Sequence, residues 1–314
     1  MFTVLSVIGP VFALVALGYL SVRYRLYPQS GVGGLISFVN NFATPSLLFQ
    51  AMLTVDFGAA FNPQYLMSFY IGAFACFGIS FVIARTVFKR RAGESVAIGF
   101  SAYFTNTVLL GLPIVQRAYG DDALSLLFAI IGFHAPLLMS FGVIVMEFAR
   151  RDGAPMAQAM RQSLLRVLRN PLLIGISLGI AANLLDISVP SIIDDATQML
   201  ARAVLPAALF GLGGALVQYS LRSSWGQALI SSVLKLVVHP AIALFLAHTV
   251  FGLPWALVQV AVLTAAMPSG LNVYIFATLY NRATDIAANT VLQSTVLGIV
   301  SISGWLLLLA AMAP

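Results

Sequence analysis

Ten apolar runs follow one another along this chain with little between them, and that pattern leaves few folds open. They fall near residues 3–22, 30–54, 64–88, 94–117, 122–148, 171–186, 192–219, 225–250, 254–280 and 285–312, divided by charged residues or Pro/Gly breaks. A helix needs roughly 20 mostly apolar residues to cross the hydrocarbon layer, so the spacing predicts about ten crossings. Sixty per cent of the 314 residues are apolar and 8% are charged, too little polar material to cover a water-soluble core of this size. The expected fold is therefore all-α, an integral membrane protein forming one membrane domain.

The charged residues carry topology. Arg23 and Arg25, the cluster Arg85, Lys89, Arg90 and Arg91, the cluster Arg150, Arg151, Arg161, Arg166 and Arg169, then Arg222 and Arg282, all fall in odd-numbered connections. Even-numbered connections hold mostly acids (Asp56, Asp121, Asp122, Asp186, Asp194, Asp195), with Arg117 the chief exception. Positive charge is retained on the cytoplasmic side, which predicts a multi-pass protein of the cytoplasmic (inner or plasma) membrane with both termini outside. The first run precedes its arginines, the reverse of a signal peptide, and is read as the first span. A formal charge of +6 raises the question of nucleic acid, but the basic clusters lack aromatic interleaving and any recognition motif, so no nucleic acid is expected. Cys76 is the only cysteine, which excludes an intrachain disulfide and a cysteine-based metal cluster. No metal is expected. The polar, basic stretch 150–170 reads either as a helix on the cytoplasmic surface or as a plain linker.

The halves look alike. Pro45-Ser46-Leu47-Leu48-Phe49 in span 2 answers Pro206-Ala207-Ala208-Leu209-Phe210 in span 7, 161 positions on, and Pro113 in span 4 answers Pro268 in span 9, 155 positions on. Five spans per half is an odd number, so the second half enters the membrane upside down, the inverted-repeat plan of many secondary transporters. The expected units are a first five-helix repeat over 1–149, an inter-repeat cytoplasmic loop over 150–170, and an inverted five-helix repeat over 171–314.

Span 4 reads Asn106-Thr107-Val108-Leu109-Leu110-Gly111-Leu112-Pro113 and span 9 reads Met267-Pro268-Ser269-Gly270-Leu271-Asn272. Proline removes an amide donor and glycine frees the backbone, so both helices are expected to break. Broken backbone at membrane depth is tolerated only where it is buried in protein or lines a cavity. Freed amides and half-helix N-termini suit an anion, and Asn106 and Asn272 are able to donate to a carboxylate or cap a half-helix. A simple pair of proline kinks is the alternative. Lys235, about ten residues into span 8, is expected near mid-membrane. It is a candidate to hold a substrate carboxylate, to release a proton during a cycle, or to stand in for a bound cation, unless the span boundary is displaced. His239, one turn later, His134 and Gln293 are candidates for a coupling or secondary site, the two histidines being otherwise neutral hydrogen-bonding residues beside prolines. Gln293 and the pair Asn40-Asn41 are polar groups in apolar runs, able to contact substrate or to join helices. No acid falls in the middle of a span, which weakens a carboxylate-based proton relay or sodium site.

These stretches, with Phe276-Ala277-Thr278-Leu279-Tyr280-Asn281 after the second, resemble the paired span 4 and span 9 motifs of the auxin efflux carrier family. The resemblance covers the whole chain in span count and loop position. It implies a scaffold of spans 1, 2, 6 and 7, a moving transport domain of spans 3 to 5 and 8 to 10, and crossed broken helices 4 and 9. It further implies an elevator-type carrier of small carboxylate anions such as malonate, malate or auxin-like weak acids, forming a homodimer through the scaffold. The substrate would meet Asn106, Gly111, Leu112, Pro113, Lys235, Pro268, Ser269, Gly270 and Asn272. The central loop is short, so control of the plant kind through a long loop is not expected. No cofactor is expected, and Na+ and H+ are the candidate coupling ions. An anion channel or a substrate sensor built on the same crossing is the alternative. No catalytic pairing of residues suits an enzyme.

Overall fold

The computed structural model describes residues 2–53, 62–150, 169, 171–218 and 224–313. Asp56, Arg222 and the surface helix considered over 151–168 lie outside the described residues. Among the described residues, seven helices are long and apolar enough to cross a membrane. They are α1 (Phe2–Arg23), α2 (Gln29–Leu53), α3 (Pro63–Thr86), α6 (Asp122–Arg150), α8 (Ser191–Leu216), α9 (Trp225–Val250) and α12 (Thr284–Ala311). The other three apolar runs differ from continuous spans. Residues 94–117 fall into α4 (Ala92–Tyr103) and α5 (Leu112–Tyr119), and residues 254–280 into α10 (Trp255–Ala265) and α11 (Asn272–Tyr280). The sixth run forms α7 (Pro171–Leu184), whose 14 residues rise about 21 Å, short of a hydrocarbon layer of about 30 Å.

Proline explains several local departures from α-helix. Wide, π-type turns occupy Val39–Ala43, Thr107–Gly111 and Leu234–Val238, and each ends two residues before a proline: Pro45, Pro113 and Pro240. A proline ring clashes with the carbonyl four residues back and offers it no N–H, so the preceding turn opens.

Two groups of helices result. In one, α1 packs on the C-terminal half of α8 and α7 packs on the C-terminal half of α2. These contacts bring backbone against backbone: a Cβ on Gly18 would strike the Phe210 carbonyl, and one on Gly213 the Val15 carbonyl. On the other pair, a Cβ on Gly175 would strike the Pro45 carbonyl, and one on Gly179 would lie 2.6 Å from the Phe49 carbonyl oxygen. Small residues permit such approach, which supplies helix attraction in lipid. Gly18 and Gly179 stand 161 positions apart, as do Phe49 and Phe210. The contact of Gly18 with Phe210 is thus answered by the contact of Gly179 with Phe49.

The second group gathers α3, α4, α6, α9, α10, α11 and α12 around a dense aromatic core. Phe100 stacks on Phe276 with ring centroids 3.9 Å apart and planes at 3°. Tyr65 and Tyr70 of α3 donate to the Leu126 and Ile130 carbonyls of α6 at 3.0 and 2.7 Å, and Tyr103 of α4 donates to the Leu138 carbonyl. A buried phenol needs such a partner, and these bonds fix α3 and α4 against α6.

Candidate functional site

Helix α4 ends as Phe104 turns to extended backbone (φ −81°, ψ 106°), and Asn106 follows in a non-helical conformation (φ −79°, ψ 66°). Between α10 and α11, residues 266–271 likewise leave the helix. The two interruptions meet. Thr105 and Ser269 form an isolated antiparallel bridge, the Asn106 amide donates to the Pro268 carbonyl at 2.8 Å, and the Gly270 amide donates to the Phe104 carbonyl at 3.0 Å. Buried backbone groups must be paired, and here each broken helix satisfies the other.

Side chains complete the pairing. Ser269 N donates to Ser294 Oγ at 3.1 Å, while Ser269 Oγ donates to the Ser101 carbonyl at 2.7 Å. Asn106 caps the wide turn: its Oδ1 accepts from Leu109 N at 3.2 Å, and its carbonyl accepts from Gly111 N at 2.9 Å. Thr105 N donates to His134 Nε2 at 3.1 Å.

Those bonds fix what is left over. Leu109 N–H requires an oxygen, so the Asn106 amide nitrogen is the atom turned away, and Asn106 Nδ2 is buried with no hydrogen-bond partner. Thr105 N–H requires a lone pair on His134 Nε2, so the neutral ring carries its proton on Nδ1. His134 Nδ1 is also buried without a partner. Two donors are therefore unspent beside the meeting point. An unmet buried donor costs about 1–3 kcal/mol.

Both residues border a cavity of about 910 Å³ enclosed by α2, α6, the two interruptions and α11. Gly270, Leu271 and Asn272 bring the N-terminus of α11 to its wall, where helix dipoles favour negative charge. Arg169 is the one charged side chain among the described lining residues, and none is acidic. Arg169 and Gln218 are exposed, so the cavity opens at the end of the bundle where the connections after α6 and α8 lie.

The structure divides the expected site residues. Asn106, Gly270, Asn272 and His134 border the cavity. Gly111, Leu112 and Pro113 do not: the break in the fourth run comes upstream, at residues 104–106, and Pro113 follows the wide turn Thr107–Gly111 at the start of α5. Pro268 and Ser269 lie behind the wall and hold the two interruptions together. Gln293 donates to the Trp225 carbonyl at 3.1 Å, joining α12 to the start of α9. Lys235 is fully buried away from the cavity, with Nζ 2.5 Å from the Ala265 carbonyl and 3.0 Å from His239 Nδ1. His239 in turn contacts the Phe69 carbonyl at 3.0 Å. Asn40 and Asn41, which the sequence left between substrate contact and helix joining, both line the cavity, with Asn41 Nδ2 donating to Ser37 Oγ at 2.9 Å. Two adjacent amides in an apolar run just before a proline were the signal. Among the described residues no group of three or more His, Cys, Asp or Glu could hold a metal ion.

Apolar helices of spanning length, with two interrupted helices meeting beside a largely apolar cavity whose described lining carries no acid, are those of an integral membrane protein. The profile of the family described as Membrane transport protein matches residues 3–306, and the chain belongs to that family, the auxin efflux carrier family. It is a family of membrane transporters, not of enzymes. Relatives include the protein named "Putative malonate transporter" of Rhizobium meliloti (strain 1021), 25% identical over 96% of this chain and 94% of the relative. Auxin efflux carrier component 8 of Arabidopsis thaliana is 25% identical over 92% of each chain. The lysosomal cholesterol signaling protein of Mus musculus is 28% identical over 94% of this chain, which spans 36% of that larger protein.

Proposed function

We propose that this protein is a secondary carrier of small carboxylate anions, which bind where the two interrupted helices meet. The unspent donors Asn106 Nδ2 and His134 Nδ1 carry the reading. A carboxylate offers two acceptor oxygens and removes the cost of leaving both donors unmet. The α11 N-terminus, Arg169 at the mouth and the lack of acids in the lining add a positive field. Malonate, malate and auxin-like weak acids are the substrates to try first, since relatives are named for malonate and auxin.

The architecture we infer has ten crossings, counting α4 with α5 and α10 with α11 as interrupted spans and α7 as a short one. Residues 1–149 and 171–314 form inverted repeats in this reading, supported by the exchanged contacts of Gly18 with Phe210 and Gly179 with Phe49. The glycine-packed group of α1, α2, α7 and α8 is the scaffold and the aromatic-cored group moves against it, as in an elevator. With arginine-rich connections cytoplasmic, both termini lie outside, and the cavity opens to the cytoplasm. Dimerisation through the scaffold accompanies this plan.

Counterflow in proteoliposomes is the test. Internal unlabelled malonate should drive saturable accumulation of labelled external malonate, with malate and indole acetate compared alongside. Large unitary currents without counterflow would make the protein a channel. Binding without any flux would make it a sensor, a reading that the signaling relative keeps in view. Uptake against separate sodium and proton gradients identifies the coupling ion.

A further inference from the structure

Helix α10 stops at Ala265, and the last carbonyls of a helix lack intrahelical donors while the aligned peptide dipoles gather negative charge on them. The donor that would close the next turn on Ala265 is Ser269 N, which bonds Ser294 Oγ instead. Lys235 Nζ takes the vacated carbonyl at 2.5 Å. Its second partner is His239 Nδ1 at 3.0 Å. His239 Nε2 faces the Phe69 carbonyl at 3.0 Å, and a carbonyl only accepts, so Nε2 carries the ring proton and Nδ1 presents a lone pair to lysine. Both contacts of Nζ are donations to neutral acceptors, which an ammonium makes with two of its three N–H groups. Gly72 makes room for the arrangement, since a Cβ there would lie 2.9 Å from His239 Cδ2.

We propose that Lys235 is a resident cation: its ammonium occupies the C-terminal end of half-helix α10 in place of a bound alkali ion, so the protein needs no sodium. In carriers built with interrupted helices, half-helix C-termini and unwound carbonyls are where coupling sodium is coordinated. Here that end is already met by a covalently attached charge, tied through His239 to α3. Lys235 is a positioning residue that holds the end of α10, and thereby the interruption after it, without touching the cavity. The role in transport rests on the carrier reading above; the occupancy of the helix end does not.

Thermal unfolding of the purified protein in detergent, in sodium chloride against choline chloride, separates the two. The wild type should unfold at the same temperature in both salts. Lys235→Gln keeps a donor for the Ala265 carbonyl but loses the charge; it should unfold several degrees lower in choline and regain part of that in sodium or lithium. Specific stabilisation of the wild type by sodium would overturn the proposal, as would a Lys235→Gln protein with wild-type stability and no response to sodium. Should Lys235→Gln fail to fold, Lys235→Arg retains the charge and should fold without a sodium response; a sodium response in Lys235→Arg would overturn the proposal. In proteoliposomes, uptake should proceed at equal rates in sodium and choline, and strict sodium dependence would sink the idea. Absence of any uptake would remove the carrier reading, leaving the unfolding measurement to decide on the resident cation.

Discussion

Thr105 and Ser269 pair as an isolated antiparallel bridge where two interrupted helices meet, and Ser269 is held from both sides by Ser294 and Ser101. Ser294→Ala removes the only side-chain acceptor shown for Ser269 N–H, leaving a buried backbone donor unpaired. We expect a stability loss of about 1–3 kcal/mol in thermal or denaturant unfolding. Thr295→Ala next to it deletes a hydroxyl that bonds the Val291 carbonyl of its own helix at 2.7 Å. That change should cost well under about 1 kcal/mol, because the carbonyl keeps its helical partner. Equal losses in the two variants would contradict the pairing.

Asn106→Asp separates the cap from the donor. Aspartate still accepts from Leu109 N, so the wide turn and the fold should persist. The donor Nδ2 is replaced by a negative oxygen facing the anion, and like charges brought together cost several kcal/mol. Carboxylate binding should fall about 100-fold or more, further than in Asn106→Ala, as read by equilibrium binding or by KM for uptake. Binding that survives in Asn106→Asp would show that the amide does not touch the substrate.

His134→Gln and His134→Leu differ in one respect that matters. Glutamine offers an oxygen to Thr105 N and an amide donor beyond it, whereas leucine leaves Thr105 N–H with no partner. The leucine variant should lose about 1–3 kcal/mol of stability and at least about tenfold in substrate affinity, and the glutamine variant markedly less of each.

Close backbone packing sets a further expectation. Gly213→Val and Gly179→Val both force a side chain into a facing carbonyl, so each should destabilise by about 1–3 kcal/mol or more. Gly9→Ala, where nothing lies within 4 Å of the added carbon, should be neutral. Similar losses at Gly213 and Gly179 fit the equally close packing of α1 on α8 and of α7 on α2.

Orientation is open to labelling, because Cys76 is buried and donates to the Leu234 carbonyl at 3.3 Å. In a Cys76→Ala background, Gln218→Cys should react with a membrane-impermeant maleimide only from the cytoplasmic face, and Asp121→Cys only from the outer face. The reverse pattern would invert the topology and with it the side to which the cavity opens.

The ten apolar runs were legible because lipid demands long apolar stretches, and their ends agree with the helices to within a few residues at most boundaries. The breaks were legible as a pair for the same reason: proline and glycine at matching depth are costly unless used. The exact position of the first break was not legible from the proline, since Pro113 lies past the wide turn Thr107–Gly111 and the interruption lies at Phe104 to Asn106, marked in the sequence only by Asn106, a residue suited to capping. His134 could not be ranked from sequence, because its role depends on Thr105 N claiming Nε2 across 29 positions. Lys235 was expected as a mid-membrane charge and is fully buried, but its partner is a carbonyl freed by a hydrogen bond elsewhere, which only the folded chain displays.

A structure determined with malonate, or whichever carboxylate shows counterflow, tests the account most directly. The carboxylate should lie within about 3 Å of Asn106 Nδ2 and His134 Nδ1, beside the first turn of α11. A carboxylate bound elsewhere in the bundle, with those two donors still unpaired, would contradict it.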